Sequence, residues 1–417
     1  MSALRRAAGV LGALTVVLGG LTGCSADDPR AGCTWMDDQS VADDADATVV
    51  LVDGTTSTRG GATRAGDVDY GPLIGDLLDK EGRSNQVVSI GTFGGADGEV
   101  EWTVQRRSAD WRRSNDNTSN QEDNRQDANR CLRDDVAAAR QVVPAGRGTD
   151  VLAGLAAGAE MFDGVRGERR LLVLSDGLST TGCADLTNAR FGSAQELRSI
   201  VSVCGTQGEF GELPDLDGVR VTFMGLGHSA GGQPSADSAR RTWLGRLWTA
   251  LCERAGAARG SCAVSRAPVG RTETSDGGAA RSLPDDAAVS FGEQDVRTYT
   301  LSGAALFATD SARLRDAAGP ALVDLAVTVR TTSSLDRVEV RGYVDPRGSR
   351  ANDRALSRAR ADAVAAELVA HGVPADRVKA YGEGVSPGCP EDVTGTSGTR
   401  EQRLQCDRRV DVKIVGK

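Results

Sequence analysis

The chain has 417 residues, with 58 Asp and Glu against 49 Lys and Arg, so its formal charge is −9. That length suits two domains of ordinary size joined by tethers. The acidic balance argues against nucleic acid as a partner, because neutralising phosphates takes clustered Lys and Arg, and the arginines here are interspersed with carboxylates.

Residues 1–23 read as a targeting segment. Arg5 and Arg6 precede the apolar run AAGVLGALTVVLGGL, which is too short to span a bilayer as a mature helix. The run ends in Leu21-Thr22-Gly23-Cys24, which resembles a bacterial lipobox. The resemblance implies cleavage before Cys24 and acylation of its thiol, and several acyl chains on one residue anchor stably where one binds only marginally. An ordinary secretory signal cleaved nearby is the alternative. Either way the mature chain is exported, and its expected place is the cell envelope, lipid-anchored to the membrane.

Of nine cysteines, Cys24 is assigned to lipid, leaving Cys33, Cys131, Cys183, Cys204, Cys252, Cys262, Cys389 and Cys406. An even number in an oxidising setting reads as disulfides. Eight allow about 105 connectivities. Sequence proximity favours Cys183–Cys204, Cys252–Cys262 and Cys389–Cys406, which leaves Cys33–Cys131. No CxxC pairs or His-rich spacing point to zinc.

Residues 24–46 form an acidic tether that Cys33 can staple to the domain over 47–262. There a β-branched run, ATVVLVD (47–53), marks a strand buried on both faces of a parallel sheet. NQVVSIGTF (86–94), EVEWTVQ (99–105), RRLLVLSDG (169–177) and VRVTFMGLG (219–227) read as further strands. CLRDDVAAARQVV, VLAGLAAGAEMF after Gly148-Thr149-Asp150, and a closing segment over 235–256 read as helices. The alternation predicts an α/β fold with a doubly wound parallel sheet and ligands beyond the carboxyl ends of its strands. Two inserts stand out. The polar stretch 106–130 has no apolar periodicity and is expected to be a surface loop. The stretch 183–218, closed if Cys183 pairs with Cys204, is expected to rim the crevice and set partner choice.

Asp53, Thr55 and Ser57 alternate just past the first strand, Thr149 opens a helix, and Asp176 ends a later strand. All are hard oxygen donors, which suits Mg²⁺. Five protein groups leave a position for an outside carboxylate. Asp53-x-Thr55-x-Ser57, then Thr149, then Asp176, resembles the von Willebrand factor A domain. In that family these positions form a metal-ion-dependent adhesion site; here Thr55 replaces the usual first Ser. The resemblance implies Mg²⁺ or Mn²⁺ as cofactor and an envelope protein, not named by the sequence, as partner. A domain of the same fold without metal is the alternative.

Residues 263–297, rich in Gly, Pro, Ser, Thr and Asp, read as a flexible linker that lets the domains move independently. Residues 298–417 read as a small α+β domain of βαβαββ order, a mixed sheet with two helices on one face. Its first helix is expected over 311–332, capped by Asp310 or Ser311. In the second, Leu356, Arg360, Val364 and Leu368 fall at four-residue steps, threading Arg360 into the apolar row while Arg354 and Arg358 lie off it. A guanidinium so placed calls for an anion. Asp345, at a strand end, is close enough in sequence to share the site. Together they suit a ligand with an ammonium and a carboxylate on one carbon.

Gly342-Tyr343-x-Asp345-x-x-Gly348, then Leu356-Ser357-x-x-Arg360-Ala361, resembles the OmpA-like peptidoglycan-binding domain. The resemblance runs from about Thr298 to the C-terminus. It implies that Asp345 and Arg360 grip the D-centre of diaminopimelate in the peptidoglycan stem peptide. Asp353 stands where the family usually has Asn, which alters the loop's hydrogen bonding. An internal Asp345–Arg360 salt bridge is the alternative.

The expected protein is therefore a non-enzymatic envelope lipoprotein that holds peptidoglycan and presents a metal-dependent protein-binding module. The alternative from another class is a secreted serine hydrolase. Gly227-His228-Ser229-Ala230-Gly231 fits the G-x-S-x-G nucleophile elbow. Against it, Gly231-Gly232-Gln233-Pro234 breaks the helix that motif must enter, and His371 is the one histidine outside it.

Overall fold

The computed structural model describes residues 32–37, 44–59, 66–74, 85–95, 99–112, 117–205, 213–231, 233–272, 282–292, 296–332, 334–347, 350–387, 404 and 407–417. Cys24, Gly348, Cys389 and Cys406 lie outside them. Among the described residues, no helix is long and apolar enough to cross a membrane.

The N-terminal part contains β1 (Asp46–Asp53), β2 (Val68–Asp69), the short α1 (Gly71–Ile74), β3 (Gln86–Phe93), β4 (Val100–Ser108), α2 (Thr118–Ala139), α3 (Val151–Glu160), β5 (Arg169–Leu174), α4 (Ala194–Cys204), β6 (Val219–Met224), α5 (Ser238–Arg254), β7 (Cys262–Val264) and β8 (Gly270–Arg271). The main sheet runs β4-β3-β1-β5-β6-β7. β1 is its centre, parallel to β3 and β5. The side chains of β1 alternate between two cores, as the pleat dictates. Val49 and Leu51 join Leu171, Val173 and Phe223 under α3 and α5. Val50 and Val52 join Val88, Ile90 and Leu132 under α2. Each fully buried Val or Leu is worth about 1.5–3 kcal/mol.

β4 pairs antiparallel with β3, so the sheet is largely, not wholly, parallel. Only a handful of residues separates the two strands, enough for a hairpin and too few for a parallel crossover. The insert 106–130 is not a loop throughout: α2 begins at Thr118, and the side chain of Asn117 accepts from the amides of Ser119 and Asn120. Its buried face is Arg125, Ala128, Asn129, Cys131, Leu132, Asp135, Val136 and Ala139. Helical spacing is present, but small and polar side chains carry it, so hydropathy hides it. Cys131 bonds to Cys33, which fastens the tether's end, with Met36 buried in the same core. Cys183–Cys204 and Cys252–Cys262 are also joined.

The C-terminal part contains β9 (Val296–Ser302), α6 (Gly303–Leu306), α7 (Gly319–Arg330), β10 (Leu335–Val344), α8 (Arg350–Ala370), β11 (Val378–Val385) and β12 (Arg409–Gly416). Its sheet is ordered β11-β10-β12-β9, with β10 parallel to β11 and antiparallel to β12. The first long helix starts at Gly319, later than expected, and neither Asp310 nor Ser311 caps it. Pro320 explains the shift, since proline is accommodated in a first turn but would break a helix already under way.

The two parts are packed together rather than independent. Glu196 of α4 accepts hydrogen bonds from Arg297 (2.9 Å) and Tyr299 (2.6 Å) of β9. The Arg297 and Glu196 side chains are 5% and 3% exposed. Gln195 donates to the carbonyl of Asp324 at 3.0 Å. The insert 183–218 thus supplies a helix that carries the C-terminal domain, which its expected position at the crevice rim did not anticipate. The expected linker also holds structure: β7 extends the main sheet, and β8 pairs with β2.

Candidate functional site

The main sheet reverses its strand order at β1 and β5, and a crevice at such a switch point is the usual ligand site of an open α/β sheet. All five oxygen donors singled out in the sequence lie at this edge. Asp53 ends β1, Thr55 and Ser57 follow in the next turn, Thr149 sits in the bridge to Gly95 before α3, and Asp176 lies just beyond β5. All five are buried. Asp53 Oδ1 accepts from the amide and the hydroxyl of Thr55 at 3.0 and 2.7 Å. Thr55 Oγ1 lies 3.0 Å from Ser57 Oγ. Asp176 Oδ1 accepts from the amide of Leu178 at 3.0 Å. Its Oδ2 is buried with no hydrogen-bond partner.

Burial works against both charges. Desolvation raises the Asp53 carboxyl despite its hydrogen bonds to Ser175 and Thr55. Asp176 is pushed up to about 7, by desolvation first and then by the charge of Asp53. Arg59 offsets part of the charge on Asp53. Two desolvated carboxylates, one of them with an orphaned oxygen, and three hydroxyls fit a hard divalent cation. Among the described residues, no three His, Cys, Asp or Glu side chains form a ready-made cage, so hydroxyls are an essential part of this donor set.

Three further residues belong to the crevice and carried no signal in the sequence reading. Ser175 donates to Asp53 Oδ2 at 2.6 Å. Thr180 accepts from the amide of Thr149 at 2.9 Å. Asp286, from the expected linker, accepts from Thr149 Oγ1 at 2.7 Å and from Thr180 Oγ1. The adjacency of Ser175 to Asp176 was the only available hint; Asp286 is distant in sequence and had none.

Ser229 lies in the turn after β6 and is buried. Its hydroxyl lies near Asp176 and acts to lower that acid's pKa, against the larger effect of burial. None of the described residues between it and Ser238, where α5 begins, is helical, so the serine does not lead straight into a helix as a nucleophile elbow does.

The C-terminal domain has its own cavity, about 440 Å³, whose lining includes Phe307, Asp345, Arg347, Asp353, Arg360 and Arg408. Asp345 follows the end of β10 and Arg360 projects from α8. Gly342 lets the two elements close: a Cβ there would lie 2.1 Å from the carbonyl oxygen of Ser357. Ser357 Oγ, in turn, accepts from the amide of Gly384 at 2.9 Å, tying α8 to β11. Arg360 is 5% exposed. Its Nε donates to the carbonyl of Ser311 at 2.9 Å, and its guanidinium stacks 5.3 Å over Phe307. Burial lowers its pKa, while Asp310 and Asp345 oppose that shift.

No ion pair between described residues joins Asp345 to Arg360. Asp345 is held instead by Arg347, from the backbone amide (3.1 Å), Nε (3.1 Å) and Nη2 (2.8 Å), and by Arg408 at 3.4 Å. Burial opposes its charge, but the hydrogen bonds from Arg347 and the charges of Arg347 and Arg408 outweigh it, keeping the carboxyl below its usual range. Asp353, on the first turn of α8, is buried in the same cavity wall.

Residues 306–402 match the family model described as OmpA family. The C-terminal domain is OmpA-like. Outer membrane protein A of Yersinia pseudotuberculosis is 32% identical over 126 residues, covering 29% of this chain and 36% of that protein. The Serratia odorifera protein of the same description is 31% identical over 131 residues, covering 29% and 52%. The chain therefore spans between a third and about half of the curated relatives it matches. Among solved structures, the cell wall anchor of the T6SS from Pseudomonas aeruginosa is 31% identical, covers 30% of this chain and 83% of that one, and superposes with a TM-score of 0.25.

Within the OmpA-like domain, Asp345, Asp353 and Arg360, all singled out in the sequence, line one cavity together with Arg347 and Arg408, which were not assigned to it. Arg347 is two residues from Asp345, so its closeness was available. Arg408 reaches the site because β12 runs antiparallel beside β10, a pairing that sequence spacing does not reveal.

Proposed function

We propose that this protein is a non-catalytic component of the cell envelope whose OmpA-like domain binds peptidoglycan through the zwitterionic centre of diaminopimelate. The observation that carries this reading is Arg360, a buried guanidinium at the wall of an open cavity, with a carboxylate, Asp345, in the same wall. Arg360 offers charge-assisted hydrogen bonds to the ligand's carboxylate, and Asp345 accepts from its ammonium. Each such bond is worth about 1.5–3 kcal/mol. Acylation of Cys24 would fix the other end of the chain to a membrane, so that the protein ties membrane to wall.

We further propose a cation site in the crevice between β1 and β5. Asp53, Thr55, Ser57, Thr149 and Asp176 would hold Mg²⁺ or Mn²⁺, as in a von Willebrand factor A domain, and present it to an envelope protein. The bound cation would supply a positive charge to a partner's carboxylate. What supports this is the donor chemistry and the buried, unpartnered Oδ2 of Asp176. We assign Ser229 no catalytic step, since its hydroxyl is buried and the turn after it does not enter a helix.

Co-sedimentation of the full chain with insoluble peptidoglycan tests the first part. Asp345→Ala and Arg360→Ala should each abolish capture, with the thermal transition and circular dichroism of the fold retained. Unchanged sedimentation of both variants would defeat the reading.

A further inference from the structure

Residues 284–290 lie within the expected linker, yet they are tied down over the carboxyl edge of the main sheet. The amide of Gly148 donates to the carbonyl of Asp285 at 3.3 Å. The side chain of Gln233 donates to the carbonyl of Ala287 and accepts from the amide of Val289, the latter at 2.8 Å. The amide of Ser290 donates to the carbonyl of Thr187 at 3.3 Å. These anchors come from the loops before α3, after β5 and after β6. The segment is therefore a strap across the loops that form the crevice. At its centre the Asp286 carboxylate accepts from Thr149 and Thr180, and Thr149 is one of the five proposed donors. The neighbouring Asp285 points outward, 87% exposed, to Arg147.

This arrangement has an independent mark of a missing ligand. Asp176 Oδ2 is fully buried in the same crevice and has no partner at hydrogen-bond geometry, the equally unpartnered Ser229 hydroxyl lying nearby. A third carboxylate brought near two desolvated ones adds like charge that either protons or a bound cation relieve. A cation held by Asp53 and Asp176 would supply that relief, and the Asp286 carboxylate, beside the Thr149 hydroxyl, would then lie next to a proposed donor.

We propose that Asp286 is a built-in occupant of the position that an acidic side chain of the partner takes, so that the strap over 284–290 is a cover which the partner displaces. This rests on the reading of the crevice as a divalent-cation site. The partner it selects is a protein that presents an exposed Asp or Glu. The strap leads directly into β9 and the OmpA-like domain, so its release would also lengthen the tether between the two parts.

The test uses the full chain and Mn²⁺ alone, read by calorimetry and by amide hydrogen exchange over 284–290. Mn²⁺ is expected to slow exchange in the wild-type strap. Asp286→Ala and the shape-preserving Asp286→Asn should lose that protection and bind Mn²⁺ about tenfold more weakly, because ligand charge sets affinity at such sites. Asp285→Ala should behave as wild type. A short peptide bearing one Glu, added to the Mn²⁺-loaded wild type, should restore fast exchange, and its Gln counterpart should not. Equal Mn²⁺ affinity and equal protection in wild type and Asp286→Ala would overturn the proposal while leaving the cation site standing. Mn²⁺ binding by Asp286→Ala alone would also overturn it, since the carboxylate would then be excluding the cation. Failure of the Glu peptide to release the strap would sink the displacement. No Mn²⁺ binding by either protein would remove the cation reading and this inference together.

Discussion

Arg347 lies across Asp345, two of its side-chain nitrogens 3.1 and 2.8 Å from the two carboxylate oxygens. The carboxylate proposed to receive the ligand's ammonium is therefore already satisfied by the chain itself. Arg347 keeps 46% of its side-chain surface exposed, so it can swing away, and a partly solvated pair of this kind is worth only about 1 kcal/mol. Arg347→Ala is expected to tighten wall binding by roughly threefold to tenfold. Weaker sedimentation of this variant would mean that Arg347 helps to hold the ligand rather than competing with it.

Gly342→Ala should be far more damaging than its size suggests. The new methyl would meet backbone, the carbonyl oxygen of Ser357, at 2.1 Å, and backbone yields less readily than a side-chain tip. Forcing α8 off β10 should cost about 1–3 kcal/mol of stability. It should also weaken wall binding, because the two elements carry Arg360 and Asp345. Calorimetry and co-sedimentation read the two effects, and a variant with wild-type values in both would contradict the packing described.

Glu196→Ala should loosen the two halves of the molecule. It removes the acceptor of both Arg297 and Tyr299 and leaves a guanidinium buried without its carboxylate. Breaking a buried pair from one side costs about 3–5 kcal/mol. The C-terminal domain should then swing out, and small-angle scattering should record a larger radius of gyration. An unchanged radius would show that α4 and α7 hold together without the ion pair.

Asp185 should give the fold a pH dependence. Its carboxyl is raised from 3.8 to about 6, chiefly by desolvation, although it accepts from the amide and hydroxyl of Thr187. The folded state therefore holds its proton to higher pH than the unfolded chain, and stability falls as pH rises through that window. Asp185→Asn keeps the accepting oxygen and removes the charge. A rise of that size corresponds to about 3 kcal/mol, but the side chain keeps part of its surface in water, so a gain of about 1 kcal/mol at pH 8 is the expectation. Below pH 4 the gain should vanish. Thermal melts at the two pH values would decide it, and a gain of equal size at both would refute the electrostatic cause.

The elements most legible from sequence were those whose own residues state their environment. The β-branched run of β1 marks a strand buried on both faces, and the four-residue steps through Leu356, Arg360, Val364 and Leu368 mark one face of a helix. Motif spacing likewise placed Asp53, Thr55, Ser57, Thr149 and Asp176 at a single sheet edge, and Asp345 with Arg360 at a single cavity. α2 was illegible up to residue 130 because its buried face there is Arg125, Ala128 and Asn129, which hydropathy cannot distinguish from solvated chain.

What tertiary structure alone decided are relationships between residues remote in sequence. Asp286 reaches Thr149, Glu196 reaches Arg297, and Arg408 reaches Asp345 only because folding brings separate segments together. Residue type and local spacing encode burial and periodicity, which act along the chain. Whether a carboxylate is left open, paired or covered depends on what arrives from elsewhere, and that is fixed by packing.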